Sequence, residues 1–516
     1  ERLAVSRPTD RYAPPPPPGR WRAVGAAVAV HVMLIGALTW GVLVLGVALS
    51  FAKPLWVIYF IIVFDIYWVY RVLYFSLFLV VSWRRLRQTL AVDWMARLRA
   101  MAGWSQAYHL VFLPMYNEDV TVVRATLRHI ADGTYPADHL MVVLAGEARK
   151  HEHFAAVAAA IQQEFGQRFF RFWVTEHPAD LSDEVPGKGS NLYYAGHAVK
   201  RHIDALGMPY ERIIVSSFDV DTIVHPQYFA HLTHEYLAHP DPTHTSFQPI
   251  ALYNNNMWES PSVLRIMSFG TTFWLLFALA RPDTITTFSS HSMSFKALVD
   301  VGFWQKDVVS EDSRIFLQAF LRYRGRYRVH PLYVPVSMDT VRDDTWWVSI
   351  KNLYKQQRRW GWGVEHVPYL LWHFHRMGDA ISWRLRFKQV WYQLEGKFSW
   401  ATTALILLVF GRLPLWVAGD AVRRTALFQN TPHILEWLMV IAMFGLVISM
   451  TLSLTLLPRA PQHVKKHTMV FMVLQWVLLP VSLIFVTAIP AIDAQTHLML
   501  GRYLGFNVSQ KKRAYA

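Results

Sequence analysis

The chain has 516 residues, enough for two or three domains. It is 53% hydrophobic and 15% aromatic, too apolar for an ordinary soluble protein, yet its 17% charged residues exclude a pure membrane bundle. Cysteine is absent, which excludes disulfides, thiolate metal sites and a cysteine nucleophile, and the net charge of +15 suits the cytoplasmic face of a membrane and its anionic lipids. No zinc spacing and no continuous basic helix accompany that charge, so no nucleic-acid partner is expected.

Residues 1–22 carry five arginines and the run Pro14 to Pro18, a basic, polyproline-like tail expected to be disordered. Residues 24–51 and 55–82 are two apolar stretches, each long enough for the about 20 residues a span needs, separated by Ala52-Lys53-Pro54. They predict a two-helix transmembrane hairpin over 23–82 with both ends cytoplasmic, because arginines flank it on both sides. Asp65 and Arg71 fall inside the second span, either as functional groups or as partners of a neighbouring helix. Residues 83–107 read as a basic, amphipathic interfacial helix.

From Tyr108 the pattern changes to alternating strands and helices. Leu110–Leu113, Met141–Ala145, Phe170–Val174 and Arg212–Phe218 are strand candidates with helical stretches between them. That alternation predicts an α/β domain over 108–345, a mostly parallel sheet with helices on both faces, and ligands at the carboxyl ends of its strands. Tyr116–Glu118, Glu147, Lys188 and the pair Asp219 and Asp221 all fall at those ends. Two carboxylates one residue apart at a strand tip suit Mg²⁺ or Mn²⁺, and such an ion suits a diphosphate. The apolar helix at 261–280 is expected in the core or under the membrane surface. His231 and His234 could share a metal on one helical face, but no third ligand stands at a suitable spacing. Tyr253–Trp258 and Phe288–Ser292 are polar runs that either face an acceptor or form hydrogen-bonded turns.

Glu311 and Asp312 open a helix, where a carboxylate could be a base or a cap favoured by the helix dipole. Gln356, Arg359 and Trp360 close a polar, aromatic helix within a segment at 346–396. Arg359 beside Trp360 could clamp a phosphate and stack on a sugar, or anchor the chain at the membrane interface. Spans are expected at 398–418, 433–457 and 468–490 within a membrane part at 397–490, followed by a basic tail at 491–516. With three C-terminal spans that tail falls on the side opposite the α/β domain, against the positive-inside rule. A re-entrant last span, broken by Pro480 and Pro490, or a miscounted crossing would remove the conflict.

The order Asp219-x-Asp221, Glu311-Asp312 and Gln356-x-x-Arg359-Trp360 resembles the membrane-integrated family-2 glycosyltransferases, the group that includes cellulose, hyaluronan, chitin and poly-N-acetylglucosamine synthases. Pro114–Glu118 is similar to that family's first nucleotide-binding loop, and Lys188 with Asn191 to its Lys-x-x-Asn element. The resemblance covers about 105–376 and the hairpin before it. It implies a GT-A α/β fold and an inverting transfer from a UDP- or GDP-sugar to a saccharide or lipid-linked acceptor. It implies that Tyr116, Glu118 and Glu147 seat the nucleoside, that Lys188, Gln356, Arg359 and Trp360 join them in holding the nucleotide sugar, and that Asp219 and Asp221 hold Mg²⁺ or Mn²⁺. Asp312, beside Glu311, would be the general base. At the second strand the family's acidic pair is replaced by Gly146-Glu147-Ala148-Arg149. Gln-x-x-Arg-Trp favours a processive synthase, and the few spans favour a single transfer. A receptor or export partner with a degenerate transferase domain is the alternative from another class.

Overall fold

The computed structural model describes residues 26–504 apart from 463, 465 and 466. The Pro-rich tail at 1–22 and the basic run at 510–513 lie outside the described residues.

Helix α1 spans Ala26–Ala52 and α2 Pro54–Leu90. Pro54 starts α2 at its first position, where its missing N–H costs nothing. Nothing in Ser82-Trp83-Arg84-Arg85-Leu86 breaks a helix, so α2 runs through the boundary expected at 82. A separate helix over 83–107 is therefore replaced by the end of α2, a short α3 (Trp94–Arg99) capped by Asp93, and a single 3-10 turn.

The α/β domain follows as β1 (Tyr108–Pro114), α4 (Val120–Ala131), β2 (Leu140–Glu147), α5 (His151–Phe165), β3 (Arg171–His177), α6 (Lys188–Leu206), β4 (Ile213–Ser217), β5 (Ile223–Val224) and α7 (Tyr228–Ala238). It continues through β6 (Thr245–Leu252), α8 (Ser262–Leu279), β7 (Ser292–Ser294), α9 (Phe295–Asp300), α10 (Glu311–Arg322), β8 (Arg328–Ser337), α11 (Trp346–Gly361) and α12 (His366–Met377). One eight-stranded sheet has the order β3-β2-β1-β4-β7-β6-β8-β5. Its four parallel pairings join the longer strands, and its three antiparallel ones involve only β7 and β5.

Both faces are covered. Leu110, Phe112, Met141, Val143, Ile213 and Val215 point into a core shared with α6, α8 and α10. Val111, Leu113, Val142, Leu144 and Ile214 point into a second core with α4, α5 and α7. That two-sided burial is why these strands read as unbroken apolar runs. Chain order reverses at β1: β2 and β3 lie on one side and β4 on the other, which opens a crevice at the carboxyl ends of β1 and β4.

The last part comprises α13 (Trp383–Phe410), α14 (Leu413–Val417), α15 (Asp420–Arg423), α16 (Ala426–Thr455), α17 (His467–Leu474), α18 (Leu479–Leu483) and α19 (Ile489–Met499). Helix α13 runs straight through the boundary expected between 396 and 397. Among the described residues six helices or helical runs are long and apolar enough to cross a membrane. Their packing divides them. Helices α1, α2, α13 and α16 leave the domain as a bundle: Gly46 of α1 lies against Phe410 of α13, and Gly445 of α16 against Val72 of α2. A Cβ on Gly445 would sit 2.3 Å from Val72 Cγ1, so the crossing requires glycine there. Arg71 of α2 pairs with Glu395 of α13 at 3.1 Å, the neighbouring-helix role open to it in the sequence.

Helix α8 stays with the domain, and the α17–α19 run touches both domain and bundle: Thr39 of α1 donates to Gln495 Oε1 at 2.7 Å, and Gln495 donates to the Lys397 carbonyl of α13 at 3.0 Å. Ser82 Oγ donates to the Leu276 carbonyl of α8 at 2.6 Å, and Thr272 Oγ1 to Ala251 of β6 at 2.9 Å. Along the final run, Trp476 stacks beside Phe269 and Phe273, Asp493 pairs with Arg358 at 3.1 Å, and Tyr503 packs on Trp362 at 5.4 Å. The segment expected to span at 468–490 is among the six runs long and apolar enough to cross, and one side of it lies along α8 and α11. It continues as helix to Met499, past the expected start of the tail, because a π turn at Ile484–Ala488 absorbs the break before Pro490.

The native chain has no cysteine, so a single introduced thiol reports its own side. Arg459→Cys is expected to label from the domain's side of the membrane and Ala421→Cys from the opposite side, as read with an impermeant maleimide on sealed vesicles; Arg502→Cys labels from the side opposite Arg459→Cys if the run at 468–499 crosses and from the same side if it does not.

Candidate active site

The crevice between β1 and β4 is lined by short turns, each leaving a strand tip. Phe218 is buried, and its N–H donates to the Phe112 carbonyl at 3.1 Å, closing the end of β4 onto β1. The next residues turn: Thr222 N–H donates to the Asp219 carbonyl at 2.9 Å. This turn aims Asp219 and Asp221 differently. Asp219 is part-exposed in the crevice, where Ser289 Oγ donates to its Oδ2 at 3.0 Å. Asp221 is buried, and its Oδ2 accepts from the Asp339 N–H at 2.8 Å.

Lys188 opens α6 and lies at the centre. Its Nζ is 2.7 Å from Asp219 Oδ1, 2.9 Å from both oxygens of Asp312 and 3.8 Å from Glu311 Oε1. The close fit of α6 under α10 requires Gly189, where a Cβ would stand 2.9 Å from the Gln305 carbonyl. Asn191 Nδ2 donates to the Ala145 carbonyl at 2.8 Å and ties the same helix to β2. Burial alone would lower the Lys188 pKa, but Asp219, Asp312 and Glu311 together raise it, so the ammonium stays charged.

The two residues of the Glu311-Asp312 pair have different surroundings. Asp312 faces the crevice with 22% of its side chain exposed, while Glu311 is buried. Burial and the neighbouring Asp312 push the Glu311 carboxyl up to about 8, against the pull of Lys188 and Arg359. The neutral form of Glu311 is therefore favoured, and Asp219 and Asp312 are the acids in direct hydrogen-bond contact with Lys188.

At the other side of the crevice, Glu118 folds onto its own loop, accepting from Tyr116 N at 2.8 Å and Asn117 N at 3.0 Å. Glu147 is buried at the tip of β2 and pairs with Arg149, whose guanidinium stacks 5.0 Å from the centre of the Tyr116 ring. Burial raises the Glu147 pKa despite Arg149. Arg149 is thus part of this pocket, though the sequence marked it only as an oddity beside Glu147. Helix α11 brings Gln356 and Trp360 over the site. The Trp360 ring lies 6.1 Å from Tyr253 and 5.9 Å from Phe288, and Gln356, Tyr253 and Trp360 line a cavity between α8 and α11. Arg359 acts electrostatically on both Glu311 and Tyr253.

The polar runs are mostly turns. Asn255 Nδ2 donates to the Asp221 carbonyl at 3.1 Å, the Asn256 amide pairs with the backbone of Thr340, and Ser292 Oγ meets Ser216 Oγ at 2.7 Å. His231 and His234 lie beside Glu235 together with His330, away from this crevice. Among the described residues no group of three or more His, Asp or Glu side chains is arranged to hold an ion unaided. Asp219 and Asp221 supply two hard oxygen donors beside a net negative charge, so a divalent ion fits only with further oxygen ligands from a bound diphosphate.

No protein-family profile matches the chain, and no curated protein matches it in sequence. Solved structures similar to it include the mannosyltransferase PcManGT from Pyrobaculum calidifontis, in complex with GDP-Man and Mn²⁺. It shares 15% identity over 72% of this chain and 99% of that one, with a TM-score of 0.41. S. aureus TarS 1-349 with UDP-GlcNAc shares 12% over 67% and 92%, at 0.33. GalNAc-T7 with UDP, GalNAc and Mn²⁺ shares 10% over 57% and 58%, at 0.32. Likeness at this level leaves the function to be argued from the chain's own geometry.

Glu311 gives the site a pH signature. Below about pH 4.5 its carboxyl is neutral in both folded and unfolded chains; from there to about pH 8 only the unfolded chain ionises, so stability declines across that window and levels off above it. Glu311→Gln removes this decline. Its melting temperature is expected to exceed that of the parent at pH 8 and to match it near pH 4, read by calorimetry in detergent.

Proposed function

We propose that the chain is an inverting, metal-dependent glycosyltransferase that moves a sugar from a nucleoside-diphosphate sugar to a saccharide or lipid-linked hydroxyl at the cytoplasmic membrane face. The observation that carries this reading is the Lys188 ammonium held between Asp219 and Asp312. It brings a donor-side carboxylate and a base-side carboxylate into one crevice, although the two are far apart in the chain.

Tyr116, Glu118 and Glu147, with Arg149, seat the nucleoside. Asp219 and Asp221 hold Mg²⁺ or Mn²⁺, which neutralises the charge on the leaving diphosphate. Lys188 and Arg359 add fixed positive charge beside the same phosphates. Asp312 removes the proton from the acceptor hydroxyl as its oxygen attacks the anomeric carbon from the face opposite the nucleotide. One displacement inverts that carbon and releases the nucleoside diphosphate. Glu311, largely neutral at the working pH, packs the base in place. Gln356 and Trp360 border the acceptor side, where the indole face suits a sugar ring.

The membrane face follows from charge. Arg84, Arg85, Arg87, Arg384, Arg386, Lys388 and Arg459 lie at the domain ends of the bundle, against Lys53, Arg412, Arg423 and Arg424 at the far ends. That excess supports a cytoplasmic domain. The order of the motifs supports the polysaccharide-synthase group as the relatives of this chain, and the few membrane helices favour a short or single transfer.

Asp312→Asn is expected to lower turnover by at least about 100-fold while nucleoside diphosphate affinity stays near that of the parent. Parent-like turnover in this variant would remove Asp312 as the base. Chelation of divalent metal is expected to stop nucleoside diphosphate release in membranes supplied with UDP- or GDP-sugars, and re-addition of Mg²⁺ or Mn²⁺ to restore it. Undiminished release under chelator would remove the Asp219/Asp221 ion.

A further inference from the structure

Beneath the crevice lies a second buried charge cluster that the proposed chemistry does not use. Its centre is Glu365, in the single 3-10 turn at Trp362–Glu365 between α11 and α12. Glu365 Oε1 accepts from Ser310 Oγ at 2.6 Å, and Oε2 accepts from the Trp362 indole N–H at 2.9 Å. Arg314 of α10 supplies the counter-charge at 3.7 Å. Arg314 is itself buried, stacks on Tyr369 at 3.9 Å, and donates to Gln305 Oε1 at 3.1 Å and His366 Nδ1 at 3.2 Å.

The two hydrogen bonds of Glu365 end on residues that flank the two motifs of the site. Ser310 directly precedes Glu311 and Asp312. Trp362 lies two residues after Trp360. Ser310 occupies the N-cap position of α10 yet makes no capping hydrogen bond; its hydroxyl is given to Glu365 instead. A carboxylate is suited to this place because both of its oxygens accept and neither must donate. Burial raises the Glu365 pKa, with Arg314, Ser310 and Trp362 opposing. The same turn is held from the membrane side: Lys397 Nζ of α13 donates to the Trp360 carbonyl at 3.3 Å, at the negative end of α11.

We propose that Glu365 is a positioning residue for the transfer step, fixing the Asp312 carboxylate in register with Arg359 and Trp360. The inference rests on Asp312 being the base. Loss of either hydrogen bond lets the start of α10 shift relative to α11, and misplacing a reacting group by about 1 Å costs up to about 100-fold in rate. The donor contacts carried by the sheet, at Tyr116, Glu147 and Asp219, are left in place, so turnover falls by more than donor affinity.

The test uses the full chain in membranes or nanodiscs with the nucleotide sugar that it turns over. Ser310→Ala and Glu365→Gln are expected to lower kcat by about 10- to 100-fold. Donor KM and nucleoside diphosphate affinity change by less than about threefold, and Ser310→Thr, which keeps the hydroxyl, restores kcat. The Ser310→Ala/Glu365→Gln double variant is expected to be no slower than Glu365→Gln alone, since both act through one contact. Parent-like kcat in both single variants overturns the proposal, as does a loss of nucleotide affinity in step with kcat. If the parent turns over no nucleotide sugar, the functional reading falls and the positioning role with it. If the parent is active and the variants match it, only the positioning role falls.

Discussion

The crevice depends on one buried ammonium. Lys188 has three carboxyl groups within 4 Å, one at the turn after β4 and two on the first turn of α10. Without it Asp219 and Asp312 would repel one another across the crevice, and Glu311 would lie buried beside them without this counter-charge. Removing one partner of such a buried cluster costs about 3–5 kcal/mol, because the remaining charges keep their desolvation penalty. Its position is set by helix geometry. Lys188 is the first residue of α6, and Asn191 anchors that helix to β2, so the ammonium is carried by the sheet itself. The same charge that holds the site together without a ligand suits a diphosphate, which would compete for it.

Around that contact the molecule is built in two storeys. The sheet presents Tyr116, Glu147 and Asp219 at the tips of β1, β2 and β4, the side we propose for the nucleotide. Helices α10 and α11 present Asp312 and Trp360, on the side we propose for the acceptor, and they are joined to each other through Glu365 and to the membrane helices through Lys397 and Arg358. Thr39 of α1 donates to Gln495 Oε1 at 2.7 Å, and Gln495 donates to the Lys397 carbonyl at 3.0 Å. A hydrogen-bonded relay thus runs from α1 through α19 to α13, whose Lys397 Nζ reaches the Trp360 carbonyl. The sheet side of the crevice stands apart from the bundle, and the α11 side is braced by it.

The sequence made the first half readable. Strands buried on both faces appear as apolar runs, and the residues just past them, from Tyr116 to Asp221, were placed by that rule alone. The third strand was found but shifted, because β3 lies at the sheet edge, where Glu176 and His177 continue an apolar run that appeared to end at Val174. Glu365 and Arg314 left no mark, since each is paired across about 50 residues of chain and neither spacing is local. The last helical run was ended too early, at 490 where the helix continues to Met499. Its protein contacts had one signal in the sequence, Gln475, Asp493 and Gln495: polar groups at that frequency imply a protein face opposite.

Helix α2 has 37 residues, a length of about 55 Å, while a bilayer's hydrocarbon core is about 30 Å thick. Close to half of it therefore stands outside the lipid as a stalk, with Ser82 bonded to α8 and the Arg85 guanidinium to the Tyr333 hydroxyl of β8 at 2.9 Å. A helix so long and so firmly held at its inner end cannot answer a thicker or thinner bilayer by tilting alone. The inner end of this stalk is thus tied to β8, and the loop that follows β8 carries the Asp339 N–H that holds Asp221, so the membrane helix and the turn after β4 share one strand as their common support.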